Sequence, residues 1–432
     1  MPTAISLPSI LTDAPRTSAM FPQWFAHAQE QAWTQFLSTP APKRGDETWR
    51  FSTIGELDFS AATRASYQGE ASELIQRSKG IEHAAAKFVF VNDSFVLAVN
   101  HLPKGVICLP LADALVEHSD LVEKYFMRHP ATLGSKKFTA LHTAQLTNGM
   151  FIHVPAGVVV EQPIEIFHWT QGENQASFPH TLIVAGENAQ VQVVETFQST
   201  NKTDATWTIA VNDLIAEKGS KLQYSVVQAL NEKSKIISVN ASDIAASATA
   251  TSFQLHTGAT WSRSESICRL MGEESRSYML AVAVPSHDQE YDLRTFQHHV
   301  SPGAFSDLLY KNSLYDESRT IFSGLIFVDE GAHRTDAYQT CRNLLMSNAC
   351  EANSMPGLEI NADDVKCSHG STSSQISEEE IFYLRARGIH SDTARQLIAR
   401  GFSIEVISRL DHEASEAYIL RMLDEKFATL KS

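Results

Sequence analysis

Cysteine is scarce in this chain. Cys108, Cys268, Cys341, Cys350 and Cys367 are the only five among 432 residues. An odd number, widely scattered, argues against a disulfide framework and for reduced thiols. Nowhere do about 18 uncharged apolar residues run together, so no membrane-spanning helix is expected. The first 21 residues, MPTAISLPSILTDAPRTSAMF, lack a basic segment followed by an apolar one, and their single Arg16 is too little for an organelle presequence. The cytoplasm is the expected location. Basic residues are outnumbered, 35 Lys and Arg against 50 Asp and Glu. The resulting charge of -15 is not offset by any local cluster of Lys and Arg interleaved with aromatics, which argues against nucleic acid and favours protein partners or cations. No G-x-x-x-x-G-K-[ST] loop, G-x-G-x-x-G after a strand, H-E-x-x-H or G-x-S-x-G occurs, so nucleotide hydrolysis and dinucleotide redox chemistry have no visible home.

What is present divides into three regions, 1–84, 85–374 and 375–432. In the first, Phe21, Phe25, Ala28, Ala32 and Phe36 recur at helical spacing, widened by Trp24, Trp33 and Leu37, and predict an amphipathic helix that STPAPKRGDE then breaks. SELIQRSKG reads as a second helix. From about residue 85 the text changes to short runs rich in Val, Ile, Phe and Thr broken by Gly, Asn, Asp and Ser, an all-β signature with almost no long helical pattern.

Three β passages can be superposed: LIVAGENAQVQVVE (182–195), LIAEKGSKLQYSVV (214–227) and IAASATATSFQLH (244–256). Val191, Leu222 and Phe253 fall at matching places, a period of the length expected for stacked units. Alternation at Val191/Val193, Leu222/Tyr224 and Phe253/Leu255 buries one face of each strand. A parallel β-helix flanked by helical regions is favoured over a sandwich.

At Ser377 the style turns helical. Ser377 and Glu380 form an S-x-x-E capping box, three glutamates load the helix start, and Gly388 supplies the stop. DTARQLIARG repeats the scheme with Asp392 as N-cap and Gly401 as stop. Ile419, Leu423, Phe427 and Leu430 make the stripe of a last helix.

Just before this helical region stands DDVKCSHG. If it is extended, Cys367 and His369 point to one face of one strand. Thiolate with imidazole serves zinc and iron in sulfur-bridged clusters, but two ligands do not complete a site. The competing reading is a buried cysteine beside a hydrogen-bonded histidine. His298 and His299, as strand neighbours, face opposite ways and cannot share an ion. Asp363 and Asp364 read as a turn or capping pair, and Cys341 and Cys350 as core residues.

FSGLIFVDEGAHRTDAYQTCRNLLMS (322–347), PGLEINADDVKCSHGST (356–372) and EEEIFYLRARGI (378–389), with FQHHVSPGAFSDLLYKNSLYDESRTIFSG (296–324) and ETWRFSTIGEL (47–57), resemble the SufB/SufD family of iron-sulfur cluster assembly scaffolds, in the SufD form of the motif. The resemblance implies a right-handed parallel β-helix between helical ends. It implies SufB as partner along the β-helix, the SufC ATPase gripping the C-terminal helices, and self-pairing as a homodimer when SufB is absent. It also implies a non-catalytic role aiding iron acquisition, with ATP hydrolysis left to SufC. His369 matches the family histidine at the nascent cluster and Cys367 the cysteine beside it, so a transient cluster or iron would be shared with SufB and not tightly held by this chain alone. Ile381, Phe382, Tyr383, Leu384, Arg385, Arg387 and Ile389 fall in the stretch expected to meet SufC. Two readings compete: a polysaccharide lyase or hydrolase on the same architecture, and a structural homodimer without chemistry.

Overall fold

The computed structural model describes residues 10–430 apart from 13, 15, 16, 65, 66, 68, 129 and 130. The expectation about a leader therefore rests largely on residues, Arg16 among them, outside those described. Among the described residues no helix is long and apolar enough to cross a membrane.

The N-terminal periodicity forms α1 (Gln23–Ser38), which buries Phe25, Ala32 and Phe36. The stripe is narrower than the sequence suggests. Phe21 precedes the helix, Ala28 is only partly buried, and Leu37 is exposed. Gln29 occupies the buried face instead, because its side-chain amide donates to the carbonyls of Ala144 (3.1 Å) and Leu146 (2.8 Å). A short strand β1 (Thr63–Arg64) and the expected second helix, α2 (Ser72–Arg77), follow.

The β text opens as expected with β2 (Ala86–Val91), β3 (Ser94–Asn100) and β4 (Ile107–Pro110). It is then interrupted by α3 (Leu111–Glu117), α4 (Ser119–Tyr125) and α5 (Lys136–Gln145), which corrects the reading of an almost helix-free stretch. Each is three turns or fewer, too short to be stable by its own propensity. Tertiary packing holds them: Leu111, Ala114, Leu115, Val122 and Tyr125 form one buried cluster with Phe25 of α1.

Strands then run without further helices: β5 (Gly149–Val154), β6 (Ile164–Thr170), β7 (Gln175–Ser177), β8 (His180–Ala185), β9 (Gln190–Ser199), β10 (Trp207–Ala216), β11 (Lys221–Ala229), β12 (Lys235–Ile244), β13 (Thr249–His256), β14 (Trp261–Leu270), β15 (Arg276–Ala283), β16 (Glu290–His299), β17 (Phe305–Leu314), β18 (Arg319–Val328), β19 (Asp336–Leu345), β20 (Glu351–Ile360) and β21 (Lys366–Gln375). From β8 they alternate between two sheets, and from β10 each pairs in parallel with the strand two earlier. One sheet runs β4-β5-β8-β10-β12-β14-β16-β18-β20 and the other β3-β2-β6-β9-β11-β13-β15-β17-β19-β21. This is the parallel β-solenoid that the repeat predicts.

Gln190, Lys221, Thr249, Arg276, Phe305, Asp336 and Lys366 stand opposite one another, so successive coils are 31, 28, 27, 29, 31 and 30 residues long. The third superposed unit is therefore out of phase. Leu222 faces Val191 on one side and Ala250, not Phe253, on the other. Val191, Val193, Leu222 and Tyr224 line the interior. Phe253 and Leu255 lie on the opposite face, packed under the C-terminal helices. Both faces of β13 are buried, so alternation alone does not tell inside from outside.

Those helices are α6 (Glu378–Arg385), α7 (Ser391–Ile407) and α8 (Glu413–Thr429). Ser377 caps α6 by accepting from the Glu379 N–H (3.2 Å), one residue earlier than a box with Glu380 requires. Gly388 (φ 82°) ends the turn that follows, as expected of a residue free to adopt the left-handed region. The scheme proposed for α7 is corrected: His390 is the N-cap, Asp392 lies in the first turn, and the helix runs through Gly401 to Ile407. An internal glycine costs about 1 kcal/mol relative to alanine. Burial of Val406 and Ile407 beyond it outweighs that. Lys311 of β17 fastens α7, donating to the Phe402 carbonyl (3.0 Å) and pairing with Glu405.

On the other sheet a charged cluster binds the N-terminal region to the solenoid. Arg263, Glu265, Asp292 and Arg294 are all buried. Arg263 pairs with Glu265 (Nε to Oε1, 2.8 Å) and with Asp292, and its guanidinium lies 3.8 Å from the Trp49 ring. Three arginines reach the same segment, ETWRFST: Arg263 donates to the Thr48 carbonyl (2.8 Å), Arg294 to that of Arg50 (2.7 Å), and Arg319 to that of Phe51 (2.9 Å).

Candidate functional site

The two ends of the solenoid differ. At the first, β3 runs antiparallel to β2 and β4 antiparallel to β5, so no further parallel coil can stack there in the same register. At the other, β20 pairs only with β18 and β21 only with β19. Both terminal strands are ten residues long, and neither contains a buried residue. Rows of main-chain donors and acceptors on long, uncovered edges form a template for another chain.

Cys367 and His369 lie on β21. Register places Cys367 beside Ala337, His369 beside Gln339, Ser371 beside Cys341 and Ser373 beside Asn343. The four β19 residues are buried and point into the solenoid, so their four neighbours share that direction. The expected common face for Cys367 and His369 is present, with Cα atoms about 6.6 Å apart from strand rise.

Their surroundings differ. Cys367 is half-buried and packs with Ala337, Ile326 and Val328. Burial, and then the Asp336 carboxylate, push its thiol up, so a lowered pKa is not a property of this chain by itself. His369 is exposed. Among the described residues no group of three or more His, Cys, Asp or Glu is set to hold a metal ion. The pair thus offers one nitrogen and one sulfur, fewer than a metal site needs.

Beneath His369 runs a polar file that the sequence did not reveal. Gln339 donates to Gln297 (3.4 Å), and Gln297 donates to Ser306 (2.8 Å), which also meets His299 Nε2 (2.8 Å). Gly324 makes room for it: a Cβ there would lie 2.2 Å from Gln339 Nε2 and 2.6 Å from Thr295 Oγ1. A glycine within a strand was the available signal of such close approach.

The other sequence candidates take structural places. His299 is buried inward, its pKa lowered to about 3 by burial, while His298 faces outward to Asp329 (3.0 Å). They do not converge. Asp363 and Asp364 sit in the turn between β20 and β21. Asp364 has φ 55°, and their carbonyls accept from His333 Nδ1 (3.0 Å) and the Arg334 N–H (2.8 Å). Cys341 is a core residue, its thiol pushed up to about 12 by burial. Cys350 is not: it lies partly exposed just before β20, donating to the Ser347 carbonyl (3.1 Å).

A second surface lies on α6. Phe382 is 70% and Tyr383 57% exposed, with the Arg387 guanidinium 3.5 Å from the Tyr383 ring. Arg385 is exposed as well, and Leu384 and Ile389 are partly buried. Ile381 is buried among the residues that seat the helices on the solenoid. It anchors α6 and is not available to a partner.

Residues 168–402 match the family model described as SUF system FeS cluster assembly, SufBD core domain, and residues 18–166 match SufBD protein N-terminal region. The chain is 30% identical over 406 residues to the iron-sulfur cluster assembly protein SufD of Escherichia coli, covering 92% of each chain. It is 27% identical over 431 residues to SufD of Bacillus subtilis, covering 94% of each. It is also 26% identical over 404 residues to SufB of Bacillus subtilis, covering 88% of this chain and 84% of that one.

Proposed function

The chain belongs to the SufBD family of iron-sulfur cluster assembly proteins, and from that premise we propose that it is a SufD-like scaffold subunit, itself non-catalytic, that docks its open terminal coil onto SufB and helps build a nascent cluster at the junction. The observation that carries this reading is the pairing of an uncovered coil with an inward-facing, exposed His369 on its last strand. A buried histidine would serve packing. An exposed one on an unpaired edge, with a thiol two residues away, supplies part of a ligand set that a second chain completes. The neutral imidazole offers a nitrogen to iron, and Cys367 becomes a sulfur ligand when a bound metal displaces its proton.

In this reading ATP hydrolysis belongs to a SufC partner, which docks on the exposed Phe382 and Tyr383 of α6. Helical pairs commonly dock through such exposed apolar residues on one face. Motion of the helical domain reaches the cluster strand by two routes. One is the short connection from Gln375 into α6. The other is the Lys311 link between α7 and β17, a strand that pairs with β19 and through it with β21.

The test is anaerobic cluster formation in the complex co-expressed with SufB and SufC, followed by visible absorption and iron content. His369→Ala is expected to lose most of the cluster while the complex still assembles. Unchanged cluster loading in an intact complex would sink the role of His369. Cys367→Ser, which keeps the shape of the half-buried site, is expected to lower loading less, since its packing with Ala337 and Val328 already accounts for part of its placement.

A further inference from the structure

The polar file beneath His369 ends on an unanswered acceptor. Gln339 is 1% exposed, and its amide Nε2 donates to Gln297 Oε1 (3.4 Å), while its own Oε1 is buried with no hydrogen-bond partner among the described residues. A carbonyl oxygen taken out of water and left unpaired carries the full penalty of its desolvation. A donor is missing.

Two neighbours could supply one. Thr295 Oγ1, also buried without a partner, lies on the Nε2 side of the amide, since a Cβ on Gly324 would approach both atoms, at 2.6 Å and 2.2 Å. Turning the amide over to meet that hydroxyl would take from Gln297 Oε1 the group that donates to it, so one orphan would replace another. The ladder offers the alternative. Of the two residues beside Gln339 in register, Leu308 has no side-chain donor and His369 has one. The His369 ring has no hydrogen bond to any described residue, it shares the inward face of Gln339, and neighbouring strands are only about 4.8 Å apart. An unpaired donor thus stands next to an unpaired acceptor.

We propose that Gln339 is a positioning residue for His369: its Oε1 accepts from the proton-bearing ring nitrogen and so presents the other, unprotonated nitrogen to iron at the mouth of the coil. This rests on the reading of His369 as an iron ligand. A histidine that binds a metal almost always gives its second nitrogen to an acceptor of this kind, which fixes its tautomer and the plane of its ring. Gln339 is itself held from behind by Gln297, and the missing side chain of Gly324 leaves room for its amide. Cys367 stands beside Ala337, so of the two site residues only His369 has a polar side chain next to it in the ladder.

The test challenges the cluster-loaded complex with SufB and SufC using an iron chelator and follows the cluster retained by visible absorption, with urea denaturation reporting folding separately. Gln339→Leu, which replaces the amide with an apolar group of similar size, is expected to lower retention about tenfold or more, the usual effect of losing such a partner. Gln339→Glu is expected to restore it, because a buried carboxyl kept neutral donates to Gln297 and accepts from the ring. Gln339→Leu added to His369→Ala is expected to do no further harm, since Gln339 acts through the ring; a purely structural glutamine would lower both backgrounds alike. In the isolated chain, without iron, nuclear magnetic resonance of isotope-labelled histidine is expected to show the His369 ring signals, identified by their loss in His369→Ala, moving in Gln339→Leu. Retention like wild type in Gln339→Leu, an additive double variant, or ring signals that stay in place overturns the role of Gln339 while that of His369 stands. Wild-type retention in His369→Ala overturns the reading of His369 itself.

Discussion

Replacing Arg263 by alanine is expected to destabilise the protein by about 3–5 kcal/mol, the usual effect of removing one partner from a buried ionic cluster. Several losses coincide. Asp292 keeps Arg294 but loses Arg263, and Glu265 loses its guanidinium partner at 2.8 Å. The carbonyls of Thr48 and Leu133 lose their donor, and Trp49 loses the cation stacked on its ring. Arg263→Lys is not expected to rescue, since one ammonium cannot serve carboxylates and carbonyls in the fork geometry of a guanidinium. Arg319→Ala, at a partly exposed guanidinium paired with Glu290 and Glu351, should cost about 1 kcal/mol or less. Urea denaturation of the three variants checks this. A loss for Arg263→Ala no larger than for Arg319→Ala would mean that the cluster does not hold the N-terminal region.

Stability is also expected to collapse on acidification between about pH 6.5 and 4. Burial lowers the pKa of His142 and His256 to about 4 and of His299 to about 3, and holds His180 well below its ordinary value. The sign follows directly. Above pH 6.5 these rings are neutral in both folded and unfolded chains, so nothing is lost. As pH falls below 6.5 the unfolded chain takes up protons that the folded one refuses, and unfolding gains until the folded pKa values are reached. At 1.36 kcal/mol per pH unit, His142, His256 and His299 each withdraw about 3 kcal/mol by pH 4, so together they rival the whole stability of an ordinary domain, and His180 acts in the same direction. Asp93 and Glu165, whose carboxyls are raised chiefly by burial, work in the opposite sense but are fewer. Circular dichroism during acid titration should show a cooperative loss in this window, moved to lower pH by His299→Gln. A signal flat from pH 7 to 4 would contradict the buried, neutral state of these histidines.

How far the sequence could be read depended on whether a feature is local. The coiled repeat was visible because β9 and β11 carry the same inward pairs, Val191/Val193 and Leu222/Tyr224. Its phase was lost at Phe253 because the next coil is shorter and because β13 is covered on both faces, a fact fixed by α7 and α8 more than a hundred residues later. The helices α3 to α5 escaped notice for the same reason: α3 and α4 are held by Phe25 and the sheet they cover, and α5 by Phe36 and Trp49. Gly401 misled because a local stop signal was overridden by packing. At the site, the shared face of Cys367 and His369 was legible from strand geometry alone. Their contrasting exposure was not, since it follows from β21 being the last strand of a stack.

The asymmetry of the two ends also bears on how the protein is made. Synthesis releases the chain from its N-terminus, and domains fold as units in that order. The antiparallel strands β3 and β4 leave the ribosome before the parallel run from β5 onward, so each later coil folds onto an end already closed to further parallel stacking. Strand β21, whose outer edge is uncovered, is completed only when the rest of the solenoid stands behind it. The uncovered edge is thus the last part of the solenoid to form, and it forms on strands already in place.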